Sequence, residues 1–248
     1  MIDTILFDLD GTLLPLDLKH FTTLYFQEMG AFFQGVIAPE ELTRLIWTAT
    51  KAMVANLEHR TNEAVFMESF ARLIHESASR DLKFYQEKFQ NFYAQRFIKT
   101  RDAVADAPAM RRSVSFLQSK GYQLVIATNP IFPYQAILQR ILWAGFQPRD
   151  FSYISCYERN HYCKPHLEFY QEVLGEIGKD PSRCLMVGND VAEDMVASQT
   201  GMKTFLITDY LIPAALSAGQ GDYQGTYQDF YRFVTGELQR SPLGETGI

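Results

Sequence analysis

The segment Thr4–Thr12, with the sequence TILFDLDGT, decides the fold, because a short apolar run leads directly into two carboxylates and a glycine. The run is typical of a strand that is buried on both faces of a parallel sheet. Ligands bind at the carboxyl ends of the strands in such sheets, and residues two apart in an extended segment project to the same side. Asp8 and Asp10 are therefore predicted to face one small site, with turn capping as the alternative role of the two side chains.

Four more short apolar runs follow along the chain, and helix-like stretches separate them. The stretches that end at Gly121, Gly145 and Gly178 place a glycine where the C-terminus of a helix favours one. This alternation predicts an α/β fold with a doubly wound, parallel, five-stranded sheet. The remaining strands are expected at Gln123–Thr128, Phe151–Ser155, Cys184–Gly188 and Lys203–Ile207.

The region after the first strand differs in its composition. Residues 40–107 contain neither glycine nor proline, and their apolar residues recur at spacings of three and four, as in amphipathic helices. An all-helical insert is therefore predicted over residues 16–100, and we call it the helical insert. The predicted domains are a core of residues 1–15 and 101–240, the helical insert, and a flexible tail of residues 241–248.

The overall composition excludes several classes of protein. A net charge of -6 disfavours a nucleic-acid surface, and no apolar run approaches the roughly 18 residues of a membrane span. The first residues lack the features of a secretory signal. The three cysteines, at positions 156, 163 and 184, have no metal-type spacing and are too few for a disulfide framework. A cytoplasmic protein without nucleic-acid or membrane partners is expected.

Motifs further along the chain extend the pattern of the first strand. With them, the sequence resembles the haloacid dehalogenase (HAD) superfamily, whose first motif, D-x-D-G-T, matches Asp8–Thr12. The resemblance covers residues 1 to about 209 and places the helical insert where that family has a helical C1 cap. The later motifs are similar to a strand that ends in Thr128, to Lys164 followed by Pro165, and to the acidic cluster Asn189, Asp190 and Asp194.

The resemblance implies a Mg²⁺-dependent phosphomonoester hydrolase that acts on a small phosphorylated metabolite through an aspartyl-phosphate. Asp8 is then the nucleophile. Asp10 protonates the leaving alcohol and later activates water. The implied ligands of Mg²⁺ are Asp8, the backbone carbonyl of Asp10, and Asp190.

Further residues are expected to bind the phosphate. Gly11 permits a tight turn, and Thr12 supplies a hydroxyl and a backbone N–H group. The resemblance adds the Thr128 hydroxyl, the backbone N–H group of Asn129 and the positive charge of Lys164. An exposed lysine before a helix is the alternative for Lys164, and a strand residue or helix N-cap is the alternative for Thr128.

The fourth motif admits two registers. Either Asp190 pairs with Asp194, or Asn189 takes the first position and Asp194 the second. We expect Asp190 to be a direct or water-mediated ligand. Asp194 would then orient Lys164 or a metal-bound water, and Asn189 would help to position the site residues without binding the metal itself.

Asp10 also indicates which of the reactions catalysed by the family that the sequence resembles is expected here. Its phosphatases keep this second acid, whereas its dehalogenases and phosphonatases lack it, so Asp10 favours phosphate ester hydrolysis. A phosphomutase is the alternative within the family, and a non-catalytic phosphate- or nucleotide-binding module is the alternative from another class. The substrate and the choice between monomer and homodimer stay open. Trp47 and the phenylalanines of the helical insert are expected to be core residues.

Overall fold

The computed structural model describes residues 1–75, 81–213, 221–236 and 238, and a parallel β-sheet forms its centre. The strands lie in the order β3-β2-β1-β4-β5-β6. The predicted doubly wound α/β fold is confirmed, with six strands in place of the predicted five. The strands are β1 Thr4–Phe7, β2 Gln123–Ile126, β3 Tyr153–Ile154, β4 Cys184–Gly188, β5 Lys203–Ile207 and β6 Tyr223–Gly225.

The helices divide between the segment that follows β1 and the segments that connect the later strands. Five of the described α-helices lie between β1 and β2, and the others alternate with strands or follow the last one. In chain order they are α1 Leu18–Phe32, α2 Pro39–Val54, α3 Asn62–His75, α4 Leu82–Gln95, α5 Pro108–Ser119, α6 Tyr134–Trp143, α7 Leu167–Ile177 and α8 Tyr227–Thr235.

The sixth strand corrects the interpretation of the C-terminal aromatic residues. The sequence predicts that Tyr223 and the aromatic residues up to Phe233 form one helix that packs on the core, but Tyr223 begins β6, which pairs in parallel with β5. The helix α8 begins only after Thr226, whose side-chain oxygen accepts a hydrogen bond from the backbone N–H of Asp229 at 3.2 Å. Backbone pairing defines this edge strand, so its three residues carry no hydrophobic pattern that the sequence could reveal.

The two faces of the sheet bury alternate residues of each strand, as pleated strands require. Ile5 and Phe7 pack on one face in a cluster that includes residues of α5, α6 and α8. Leu6 packs on the other face with residues of α7, including Phe169. Burial on both faces explains why the strands are continuously apolar.

The described residues of the helical insert form helices joined by turns, and a side chain of the first linker determines where α1 begins. Asp17 accepts a hydrogen bond from the backbone N–H of His20 at 2.9 Å and caps α1. A 3-10 segment, Phe97–Ala103, extends past the predicted boundary at residue 100. The division into domains stays a prediction, and the predicted tail, residues 241–248, lies outside the described residues.

Two linkers join the helical insert to the sheet, and they lie side by side. The backbone N–H of Asp17 donates to the carbonyl of Ala103 at 3.1 Å, and that of Ala105 donates to the carbonyl of Pro15 at 3.0 Å. Leu16 and Val104 form an antiparallel bridge between them. The chain therefore leaves the core and returns to it at one place.

The helical insert also packs directly against the core. The Phe97 ring is stacked on Trp143 of α6 with 5.4 Å between the ring centroids, and the Gln139 side chain donates to the carbonyl of Tyr93 at 2.8 Å. Apolar residues of both regions form one continuous cluster. In the described part of the chain, no helix combines the length and the apolar character needed to cross a membrane.

Candidate active site

The carboxyl ends of β1, β2 and β4 meet at a cavity of about 560 Å³ that the helical insert covers. Asp8 directly follows β1, and its backbone N–H donates to the carbonyl of Val187 in β4 at 2.9 Å. This hydrogen bond fixes Asp8 at the centre of the sheet edge. The polar residues that line the core side of the cavity are Asp8, Asp10, Thr128, Asn129, Asn189, Asp190, Glu193 and Asp194.

Lys164 lies beneath Asp8 and is fully buried. Its Nζ donates to Asp8 Oδ1 at 3.0 Å and to Asp194 Oδ1 at 2.5 Å. Burial alone would lower the pKa of Lys164, but the carboxylates of Asp194 and Asp8 raise it well above its ordinary value. The alternative of an exposed lysine is therefore wrong. Lys164 is not among the residues that line the cavity, so its charge acts on Asp8 from below.

The two aspartates of the fourth motif have different surroundings. Asp190 borders the cavity, and its Oδ1 accepts hydrogen bonds from the backbone N–H groups of Ala192 and Glu193 at 2.8 and 2.9 Å. The Asp194 side chain is 1% exposed and pairs with Lys164. Asp194 Oδ2 also accepts from the backbone N–H of Asp190 at 2.9 Å. Which carboxylate contacts a metal stays a prediction.

Gly11 and Thr12 do not line the cavity in the described structure, in contrast to the expected phosphate contacts. Thr12 is fully buried, and its hydroxyl donates to Asn189 Oδ1 at 3.0 Å. Gly11 has a φ of +86°, and a Cβ there would lie 2.2 Å from Asn189 Nδ2. Both residues therefore hold Asn189, whose amide in turn donates to the carbonyl of Tyr210 at 2.7 Å.

Thr128 and Asn129 lie in the loop between β2 and α6. Because β2 ends at Ile126 and α6 begins at Tyr134, Thr128 is neither a strand residue nor a helix N-cap. Its side chain lines the cavity. The Asn129 amide donates to Glu193 Oε2 at 3.0 Å, and its Oδ1 accepts from the backbone N–H of Lys164 at 3.3 Å. Asn129 thereby joins the second, third and fourth motifs.

Arg140 is a site residue that reasoning from the sequence missed. It lies on α6 and is 1% exposed, and its Nη1 donates to Asp10 Oδ2. The guanidinium also lies over the Phe132 ring, 4.4 Å from the centroid. The signal in the sequence is a charged residue on the apolar face of a helix, between Ile137 and Ile141. Such a residue needs a buried partner.

Asp10 combines a charged partner with an unpartnered oxygen. Its Oδ2 accepts from Arg140, whereas its Oδ1 is buried and has no hydrogen-bond partner. Burial raises the pKa of Asp10, the Arg140 charge opposes this rise, and the Asp8 charge adds to it. A carboxyl group with a raised pKa is suited to proton transfer.

The donor atoms around the cavity fit Mg²⁺. They are carboxylate and amide oxygens, and the buried Oδ1 of Asp10 lacks a partner. Burial raises the pKa of Glu193 to about 7; the Lys164 charge opposes this rise, and the charges of Asp194 and Asp190 add to it. The described residues hold no group of three or more His, Cys, Asp or Glu side chains that could enclose a metal. Mg²⁺ needs no such group, since it binds through one or two carboxylates together with water and phosphate oxygens.

The wall opposite these polar groups is apolar and comes mostly from the helical insert. Phe21 and Phe26 of α1, Ile46 and Trp47 of α2, and Phe66 of α3 contribute to it. Trp47 is 47% exposed, so the expectation that it is a core residue is wrong. The helical insert thus presents aromatic surface to the cavity.

Comparison with known proteins identifies a family and related chains. A family model for haloacid dehalogenase-like hydrolases matches residues 2–199. The pyrophosphatase PpaX of Bacillus pumilus is 24% identical over 204 residues, which are 82% of each chain. A glyceraldehyde 3-phosphate phosphatase of Methanothermobacter thermautotrophicus is 30% identical over 99 residues, which are 40% of this chain and 42% of that protein.

A solved structure supports the fold. The HAD-hydrolase YfnB from Bacillus subtilis, solved bound to magnesium, has a TM-score of 0.58 and 18% sequence identity. The superposition covers 94% of this chain and 99% of that chain. It therefore includes both the sheet and the helical insert.

Proposed function

The chain belongs to the haloacid dehalogenase-like hydrolase family, and we propose that it is a phosphatase that hydrolyses a small phosphomonoester through an aspartyl-phosphate at Asp8. The observation that carries the proposal is the pair of acids at one cavity. Asp8 is held by a buried lysine, and Asp10 has a raised pKa and an unpartnered oxygen. The phosphatase and the pyrophosphatase named above support the same reaction class.

In the first step, Asp8 attacks phosphorus. One of its oxygens accepts from Lys164, and the other forms the new P–O bond as the bond from phosphorus to the alcohol breaks. Asp10 gives its proton to the leaving alkoxide, which departs as a neutral alcohol. Lys164 compensates the negative charge of Asp8 before the attack.

In the second step, Asp10 accepts a proton from water as the water oxygen attacks phosphorus. The bond between Asp8 and phosphorus breaks, orthophosphate is released and both carboxyl groups return to their starting states. Arg140 holds the Asp10 side chain in both steps through its hydrogen bond to Oδ2. The Thr128 hydroxyl and the backbone N–H of Asn129 donate to the oxygens of the transferred phosphoryl group.

The residues that would hold Mg²⁺ are Asp8, the backbone carbonyl of Asp10 and Asp190. When bound, the ion supplies positive charge between the carboxylate of Asp8 and the phosphate, which otherwise repel each other. The oxygen-rich donor set supports this assignment.

The test is phosphate release from para-nitrophenyl phosphate with and without Mg²⁺. We expect Mg²⁺-dependent release by the wild type, phosphorylation of Asp8 detectable by mass spectrometry, and loss of both in Asp8→Asn. Asp102→Asn is the matched control, since Asp102 is exposed and lies outside the cavity. Full activity of Asp8→Asn would exclude the covalent mechanism. Transfer of phosphate to a second hydroxyl without release would indicate a mutase, and binding without turnover would indicate a non-catalytic module.

A further inference from the structure

The apolar wall of the cavity is built to contact something other than phosphate. Trp47 is 47% exposed, and its ring lies 5.7 Å from that of Phe26. The hydroxyl groups of Tyr25 and Tyr93 are hydrogen-bonded to each other at 2.8 Å, so this pair also offers mainly ring surface. An exposed tryptophan beside a half-buried phenylalanine, on a concave wall lined by further aromatic rings, marks a surface that an apolar ligand covers.

The charged residues that line the cavity, within the described part of the chain, are all acidic. Among the described residues that line it, none is a lysine, arginine or histidine. Two nearby cations are already paired and buried, Lys164 beneath Asp8 and Arg140 beside Asp10. The carboxylates that line the cavity are Asp8, Asp10, Asp17, Asp190, Glu193 and Asp194.

This distribution restricts the charge of the substrate. Mg²⁺ and the donors at the sheet edge would compensate one phosphate group. A second anionic group on the substrate would meet aromatic rings, hydroxyl groups or further carboxylates, but no cationic side chain among the described residues that line the cavity. A charge removed from water without a partner is strongly disfavoured. The cavity volume of about 560 Å³ lies within the range for sites that hold an organic ligand, so a bulky group fits.

We infer that the alcohol part of the substrate is uncharged and aromatic, or comparably bulky and apolar, and that the phosphate is the only anionic group of the substrate. This inference rests on the proposed phosphatase function. It separates the chain from enzymes whose substrates carry a second phosphate or a carboxylate. The aromatic wall selects the leaving group, and the acids at the sheet edge carry out the reaction.

The test centres on two probes that differ in charge but share the same type of leaving group, and it adds two small anionic probes. Phenethyl phosphate and its para-carboxy derivative have the same primary alcohol, and phosphoglycolate and pyrophosphate serve as small anionic probes. We expect kcat/KM for phenethyl phosphate to exceed that for each of the others at least tenfold, mainly through KM. Equal or higher kcat/KM for any of the three anionic probes overturns the inference.

Variants of the wall test the assignment to Trp47. Trp47→Arg places a cation on the wall and should narrow the gap between phenethyl phosphate and its carboxylated derivative at least threefold. Leu57→Arg is the matched control, since Leu57 is 55% exposed and does not line the cavity. An unchanged gap in Trp47→Arg, with a melting temperature near that of the wild type, overturns the assignment. Release of phosphate without preference overturns the inference alone, whereas release from no probe overturns the proposed function and the inference with it.

Discussion

Replacing Lys164 by methionine should destabilise the protein strongly, because two buried carboxylates depend on its charge. Lys164 is fully buried, and the side chains that it pairs with, Asp8 and Asp194, are 11% and 1% exposed. Methionine has a similar length, so the substitution removes the ammonium group with little loss of packing. The remaining carboxylates would lie close together without a cation.

The size of the effect follows from the burial of the pair. Removing one partner of a buried ion pair costs about 3–5 kcal/mol, because the other charge stays buried without compensation. In a protein of 248 residues, each kcal/mol lowers the melting temperature by about 2–4 °C. The expected decrease for Lys164→Met is therefore about 6–20 °C. The raised pKa of Lys164 leads to the same expectation, because it means that the charged form of the lysine stabilises the fold at neutral pH. Removing the charge should therefore lower the stability.

The assay is thermal unfolding at neutral pH in the presence of a chelator, so that no bound cation replaces the lysine. Lys203→Met is the matched control. Lys203 also pairs with an aspartate, at 2.6 Å, but it is 52% exposed, and loss of such a surface pair costs at most about 1 kcal/mol. A second variant, Lys164→Met with Asp194→Asn, should recover part of the loss because it removes one uncompensated charge.

Two results would refute this reasoning. The first is a melting temperature of Lys164→Met within about 2 °C of that of Lys203→Met, since burial would then make no difference. The second is a double variant whose loss equals the sum of the two single losses, since charge compensation predicts strong coupling.

Three further predictions concern the catalytic acid, an edge of the sheet and the turn after β1. Asp10→Asn should lower kcat/KM, which reports the formation of the aspartyl-phosphate, by about 10²–10⁴-fold for phenethyl phosphate but much less for para-nitrophenyl phosphate, since nitrophenolate leaves without a proton; equal losses in kcat/KM would contradict the acid role. Burial would raise the pKa of Asp222, but hydrogen bonds from Lys203 and Thr204 of β5 hold this pKa below its ordinary value. The carboxylate therefore stabilises the fold above about pH 4, and this stabilisation is lost as the pH falls through the lowered pKa. The difference in melting temperature between wild type and Asp222→Asn should thus be constant from pH 5 to 7 and shrink in stronger acid; a difference that changed between pH 5 and 7 would argue against it. Gly11→Ala should lower the free energy of unfolding by more than about 1 kcal/mol, because of the φ of +86° and the contact of its Cβ with Asn189, whereas Gly35→Ala, with a φ of +75° but open space around its Cβ, should lose less in the same denaturation experiment.

The sequence predicts those parts of the fold and site that depend on local pattern. Continuous apolar runs identify five strands. Asp8 directly follows β1, and Thr128 lies two residues beyond the end of β2, so their place at the sheet edge could be predicted. The edge strand β6 could not, because backbone pairing with β5 holds it and its three residues have no apolar pattern.

The parts that the sequence leaves open depend on contacts between distant residues. Arg140 reaches Asp10 across 130 positions, and Thr12 reaches Asn189 across 177. Neither contact can be inferred from the spacing of the motifs. The sequence therefore did not identify Arg140 as a site residue, and it predicted that Thr12 would bind the phosphate. The exposure of Trp47 likewise depends on how α2 faces the cavity, which the helical period alone does not determine.

The pairing of the two linkers has a consequence for how such a protein diversifies. Because Pro15–Asp17 and Ala103–Ala105 are hydrogen-bonded neighbours, the intervening segment can be exchanged by recombination with one crossover in each linker, without altering the order of the strands. Asp8 and Asp10 lie outside that segment, whereas most of the aromatic wall lies within it. Selection for a substrate with a new leaving group can therefore act on this one exchangeable segment, while the residues of the proposed reaction are retained.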